Sequence, residues 1–144
     1  MTSPKLRASV LGAVDGVISS FSVVASAYVA SISLKNFMII GFASLASDAL
    51  SMGSSEYLSS RDALLGAYCF LSFLTFGSIP LATYAASDSV VVATVVSYAQ
   101  LTIIGVVRSR ITGESIYQGY VQASVIGFLC GSAAFGVSFL VNAL

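Results

Sequence analysis

Histidine is absent from this 144-residue chain, and only six basic and six acidic side chains interrupt it. Without histidine there is no His-based zinc site, no imidazole general base and no His pH switch. The two cysteines, Cys69 and Cys130, lie far apart in apolar runs, so no disulfide framework is indicated and both read as small buried hydrophobes. Charged residues make up 8% of the chain, against roughly 25% in a soluble domain. The net charge is zero and the basic residues are scattered, which excludes a basic patch for nucleic acid. No nucleophile–base pair and no phosphate loop is present, so an enzyme is not expected. What remains is 57% hydrophobic, with a mean hydropathy of +0.96, and that places the chain in the membrane class.

A spanning helix needs about 20 apolar residues. Five such segments occur, at about 8–31, 36–58, 63–86, 89–107 and 115–142. They predict an all-α polytopic membrane protein, residues 1–144 forming one transmembrane domain. Each run is longer than a barrel strand, and none alternates cleanly. The fourth, rich in valine, has strand propensity, but backbone hydrogen bonds in a bilayer must close internally, which favours a helix. The opening MTSPKLR resembles the start of a signal peptide, but Asp15 interrupts the apolar segment behind it, and it is read as part of a retained first span. Short links at 33–35, 59–62, 87–88 and 108–114 force neighbouring helices to run antiparallel. With five spans, Lys5, Arg7, Arg61, Arg108 and Arg110 fall on one side and Lys35 on the other. The positive-inside rule then puts the N-terminus in the cytosol and the C-terminus in a lumen or outside.

Three acids fall in links: Asp62, Asp88 and Glu114. The other three, Asp15, Asp48 and Glu56, fall within spans, where an ionisable group costs at least about 2.5 kcal/mol and marks a functional site. In the run DALSMGSSEYLSS (48–60), Asp48, Met52 and Glu56 are spaced four residues apart. At 100° per residue they share one face, and they climb about 12 Å along the axis. Carboxylate, thioether and carboxylate in series suit a transition metal better than Mg(II) or Ca(II), and weak sequential sites suit conduction. The bland reading is that Glu56 is solvated at the interface and Met52 is core packing. In the first segment, GAVDGVISSFS (12–22), Gly12 and Gly16 form a small-xxx-small pair that permits close helix approach. Ser19 and Ser22 extend a polar face beyond Asp15. If the first two helices are neighbours, Asp15 can face Asp48 or Glu56, and facing carboxylates can share a proton. Gly127 and Gly131 form another packing pair, and Pro80 is expected to kink or end the third helix.

These motifs resemble the vacuolar iron transporter family. GAVDGVISSFS resembles the family's first-helix GANDGxxSxxS; SDALSMGSSEYLSS resembles its second-helix ADxxSMxxGEYxS; FGSIPL (76–81) resembles its third-helix GxxIPL. The late GVVRSRITG (105–113) resembles a further family pattern ending in Thr-Gly. The likeness runs over essentially the whole chain. It implies a five-helix protomer that dimerises, with the first two helices of both copies lining a path at the two-fold axis. It implies export of Fe(II), with Mn(II) as an alternative, from the cytosol into a vacuole-like compartment in exchange for protons. The metal is then the transported ion, and no cofactor is implied. Asp15 matches the family's first-helix acid, Met52 its second-helix methionine, and Asp48 and Glu56 the flanking acids.

Two departures are visible. The family's first-helix Asn is Val14 here, which removes a polar ligand beside Asp15. Many members also carry a Glu-rich cytosolic metal-binding domain between helices two and three, where this chain has only residues 59–62. An alternative expectation is therefore a non-transporting, dimerising membrane protein that modulates a full-length carrier.

Overall fold

The computed structural model describes residues 3–144. They form five helices: α1 (Pro4–Val29), α2 (Leu34–Ser60), α3 (Ala63–Ser87), α4 (Val90–Thr112) and α5 (Ile116–Asn142). All five are long and apolar enough to cross a membrane, and no strand occurs among the described residues. The expected all-helical membrane fold is therefore observed, valine-rich α4 included.

The starts are set by side-chain caps. Ser3, Ser33, Asp62 and Ser89 each accept a hydrogen bond from a first-turn N–H, at Leu6, Asn36, Leu64 and Val92. Ser3 with Pro4 behind it begins α1 four residues earlier than expected and brings Lys5 and Arg7 onto the helix. Arg61, Asp88 and Gly113 end α2, α3 and α4 in the left-handed conformation, with φ of 57°, 49° and 75°. The expected 108–114 link is mostly helix: α4 continues to Thr112, and only residues 113–115 turn the chain. Arg108 holds that turn by donating to Glu114 (2.8 and 3.1 Å) and to Gln122 on α5 (3.1 Å).

Contacts between ends show an up-and-down bundle. The start of α1 meets the end of α2 through Arg7 and Glu56, and Lys5 lies 5.8 Å from the centre of the Tyr68 ring early in α3. At the other end Phe37 of α2 packs edge-on against Tyr84 of α3, with ring centres 4.8 Å apart. Ser26 late in α1 is hydrogen-bonded to Ser138 late in α5. One end of the bundle therefore carries Lys5, Arg7, Arg61, Arg108 and Arg110, and the other carries Lys35. Exposed tyrosines mark both ends, Tyr57, Tyr117 and Tyr120 at the first and Tyr28 at the second, as membrane interfaces favour.

Small residues bring the helices together. In α1, Gly12 and Gly16 lie directly on the α3 backbone at Cys69 and Phe73, and α3 returns Gly77 against Gly16 and Ser20. Gly53 meets Gly66 between α2 and α3, and Gly105 meets Gly119 between α4 and α5. In lipid, where apolar burial supplies little drive, such close van der Waals contact holds helices together. A core of Val24, Phe37, Leu45, Phe73 and Leu81 lies among α1, α2 and α3. On α5 only Gly119 and Ala123 are buried, and Phe128 (70% exposed) and Leu140 (66%) face outward, as suits a helix bathed in lipid.

Pro80 does not end α3, which continues to Ser87. Proline lacks the N–H that would bond the carbonyl four residues back, at Phe76. The freed carbonyl is satisfied from outside: Gln100 of α4 donates its amide to the Phe76 oxygen at 3.2 Å. We expect Gln100→Leu, which strands that carbonyl at membrane depth, to cost about 1 kcal/mol. Thermal melting in detergent should drop by a few degrees, and an unchanged midpoint would refute this role.

Candidate functional site: an acidic seam between α1 and α2

The buried face of α2 runs through Phe37, Gly41, Leu45, Ala49 and Gly53. Ser44, Asp48, Met52 and Glu56 form the adjoining row, at the edge of that face rather than on the lipid side. Asp48 and Met52 are half-buried, and Glu56 is buried. The expected one-sided ladder is thus realised along the margin where α2 meets the rest of the bundle.

Each rung has its own surroundings. The Ser44 hydroxyl donates to the Asp48 carboxylate at 3.2 Å. Met52 packs against both the central core and a smaller cluster of Ala8, Leu65 and Cys69, so its thioether sits at the junction of α1, α2 and α3. Glu56 is only 5% exposed, and Arg7 donates to its Oε1 at 2.9 Å. This corrects the bland reading of Glu56 as a solvated interfacial acid. Its backbone carbonyl also accepts from the Ser60 and Ser59 hydroxyls, at 2.7 and 3.1 Å.

Across the seam, Asp15 on α1 is half-buried and within Coulombic range of Asp48. Asp15 has no hydrogen-bond partner among the described residues. Asp15 and Asp48 thus lie within electrostatic reach of one another, while Glu56 is engaged by Arg7. Among the described residues no three acidic or thiol side chains converge as a ready-made metal cage; the donors are strung along the helix axis. Cys69 is buried and free on α3, facing this region, with Asp15 and Glu56 both near enough to act on it electrostatically.

Neighbouring positions divide as the packing dictates. Val14, where the resemblance expected an Asn beside Asp15, joins the apolar α1–α4 seam with Leu101 and Ile104, away from α2. Gly12 and Gly16 serve α3, leaving the adjoining side of α1 to meet α2. Ser22, with Ser26 one turn further on, lines a hollow of about 360 Å³ against Ile40 of α2, beyond Asp15 toward the Lys35 end. Gly127 and Gly131 line an apolar hollow of about 210 Å³ among α1, α4 and α5, and Cys130 is half-buried on its wall rather than buried as expected.

The Arg7–Glu56 pair is absent from the sequence reading, although the spacing holds its signal. Arg7 precedes Asp15 by eight residues (15 − 7), and Glu56 follows Asp48 by eight (56 − 48). On antiparallel helices, a register that sets Asp15 near Asp48 sets Arg7 near Glu56. Starting the first helix at residue 8 leaves Arg7 outside it and hides the match.

A bundle of five helices long and apolar enough to cross a membrane, with acidic side chains and a thioether along one internal seam, defines the class of polytopic integral membrane proteins. The chain belongs to the VIT family, whose family model matches residues 6–64 and 63–138. The two matched stretches meet at the turn between α2 and α3, where the chain has only a short connection. A vacuolar iron transporter of Toxoplasma gondii is 36% identical over 58 residues, covering 40% of this chain and 19% of that protein. The aligned stretch thus spans about a fifth of that relative's length.

Proposed function

We propose that this chain is a single transmembrane domain that carries divalent transition metal, Fe(II) with Mn(II) as a second substrate, out of the cytosol into a vacuole-like compartment. The observation that carries the reading is the row of Asp48, Met52 and Glu56 along the margin of α2 inside the bundle, with a second half-buried acid, Asp15, on α1. Two facing carboxylates repel each other when both are charged. A divalent cation relieves that repulsion, and so does a proton; mutually exclusive occupancy is what metal–proton exchange requires. The Met52 thioether biases the site toward transition metals over Mg(II) and Ca(II). The basic end of the bundle would face the cytosol by the positive-inside rule. A homodimer with α1 and α2 at its two-fold axis would double each donor and complete the coordination that one chain leaves open.

The test is Fe(II) or Mn(II) uptake by proteoliposomes under a pH gradient, with Met52→Ala and Asp15→Ala alongside. Wild-type uptake should exceed both variants and should collapse when the gradient is dissipated. Wild-type flux equal to that of the variants, with the protein dimeric and folded, would instead favour a non-transporting partner of a longer carrier.

A further inference from the structure

The Arg7–Glu56 pair is lopsided. The Glu56 side chain is 5% exposed, whereas Arg7 is 63% exposed and reaches it from the basic end of the bundle. An ion pair with one solvated partner is weak, because the guanidinium can return to water at little cost. The carboxylate has no such escape while it is charged: buried and unpaired, it would be strongly destabilising, so it holds a proton or another cation whenever Arg7 leaves. Glu56 therefore requires a cation, but nothing requires that cation to be Arg7. Lys5, held against the Tyr68 ring, and Arg61, just past the end of α2, keep the same end positively charged. The mouth of the seam is thus occupied and screened by tethered cations, with Asp15 and Asp48, neither of them ion-paired among the described residues, deeper along it.

We propose that Arg7 is a tethered competitor for the transported cation at Glu56: it neutralises the carboxylate when no metal is there and must swing into water for a divalent ion to enter. This deepens the transport reading and rests on Glu56 lying on the cation path. A purely structural pair would also tie α1 to α2, but it would not set the concentration of metal at which the site fills.

The experiment uses the full chain, measuring Mn(II) binding in detergent by electron paramagnetic resonance and Mn(II) uptake in proteoliposomes. Arg7→Gln should bind Mn(II) more tightly and lower KM by about two- to fivefold, the size expected when a weak ion pair no longer has to be broken. Arg7→Ala, a second neutral variant, should show the same gain and serves if the Gln variant is unstable, whereas Arg7→Lys, which keeps the charge, should stay near wild type. Adding Glu56→Gln to a neutral Arg7 variant should remove the difference. Unchanged Mn(II) affinity and KM in folded Arg7→Gln, with only a lower melting temperature, would overturn the proposal and leave transport standing. Tighter Mn(II) binding that depends on Glu56, without flux in any variant, would keep the proposal and overturn transport. Unchanged Mn(II) affinity in folded Arg7→Ala, with the Gln variant unfolded, would also overturn it.

Discussion

Vesicles reconstituted with Asp48→Asn should take up Fe(II) or Mn(II) no faster than empty vesicles, a loss of about a hundredfold or more in kcat/KM. Asn preserves the shape of the rung and can still accept from Ser44, whose hydroxyl lies 3.2 Å from the carboxylate. Only the charge is removed. A dehydrated divalent ion in a low-dielectric seam depends on that charge far more than on packing, and the remaining acid, Asp15, is half-buried without a hydrogen-bond partner among the described residues. Asp15→Asn should lose as much, and the double variant no more than either single, as the proposed exchange requires the two acids to act as one site. Melting and elution should match wild type in all three. Near-normal uptake by Asp48→Asn would remove Asp48 from the path. Ser44→Ala is the graded control: it deletes one neutral donor and should change uptake by no more than about fivefold.

The second large effect concerns the frame. A methyl group on Gly12 would be driven onto the Cys69 carbonyl oxygen, and one on Gly16 would come within 2.5 Å of the Phe73 carbonyl oxygen. Both obstacles are backbone, so no rotamer change relieves them. Gly16→Leu, and Gly12→Leu with it, must push α1 off α3, the pairing around which the core is assembled. We expect each to destabilise by about 3 kcal/mol or more, and most of the protein to be lost as aggregate on size-exclusion chromatography. Gly136 of α5 provides the contrast, since nothing lies within 4 Å of an added methyl there. Gly136→Ala should leave folding intact or raise stability slightly through better helix propensity. Tolerance of Gly16→Leu would show that the α1–α3 contact is not what holds the bundle.

The helix ends show where sequence reading works and where it stops. Ser33, Asp62 and Ser89 are legible as boundaries because capping is local chemistry. Residues 108–112 read as a link because two arginines and a serine look like loop, yet arginine is a good helix former and the true stop is the positive-φ Gly113. Pro80 is legible as a break in the hydrogen-bond ladder. That Gln100 repairs it is not, because the donor comes from another helix, 24 residues after the Phe76 carbonyl it satisfies.

What the sequence determined by itself was everything that closes within a segment. In a bilayer each backbone N–H and C=O must find its partner inside the helix. Five apolar runs therefore became five helices, and the period of 3.6 residues put Asp48, Met52 and Glu56 on one face. What only the tertiary structure decided was which faces meet. An apolar helix in lipid has no wet side to mark its orientation, so the period of one segment does not say whether Gly12 and Gly16 seek α2 or α3. Close backbone packing gave them to α3, turned Val14 toward α4, and set the antiparallel register in which Arg7 closes over Glu56.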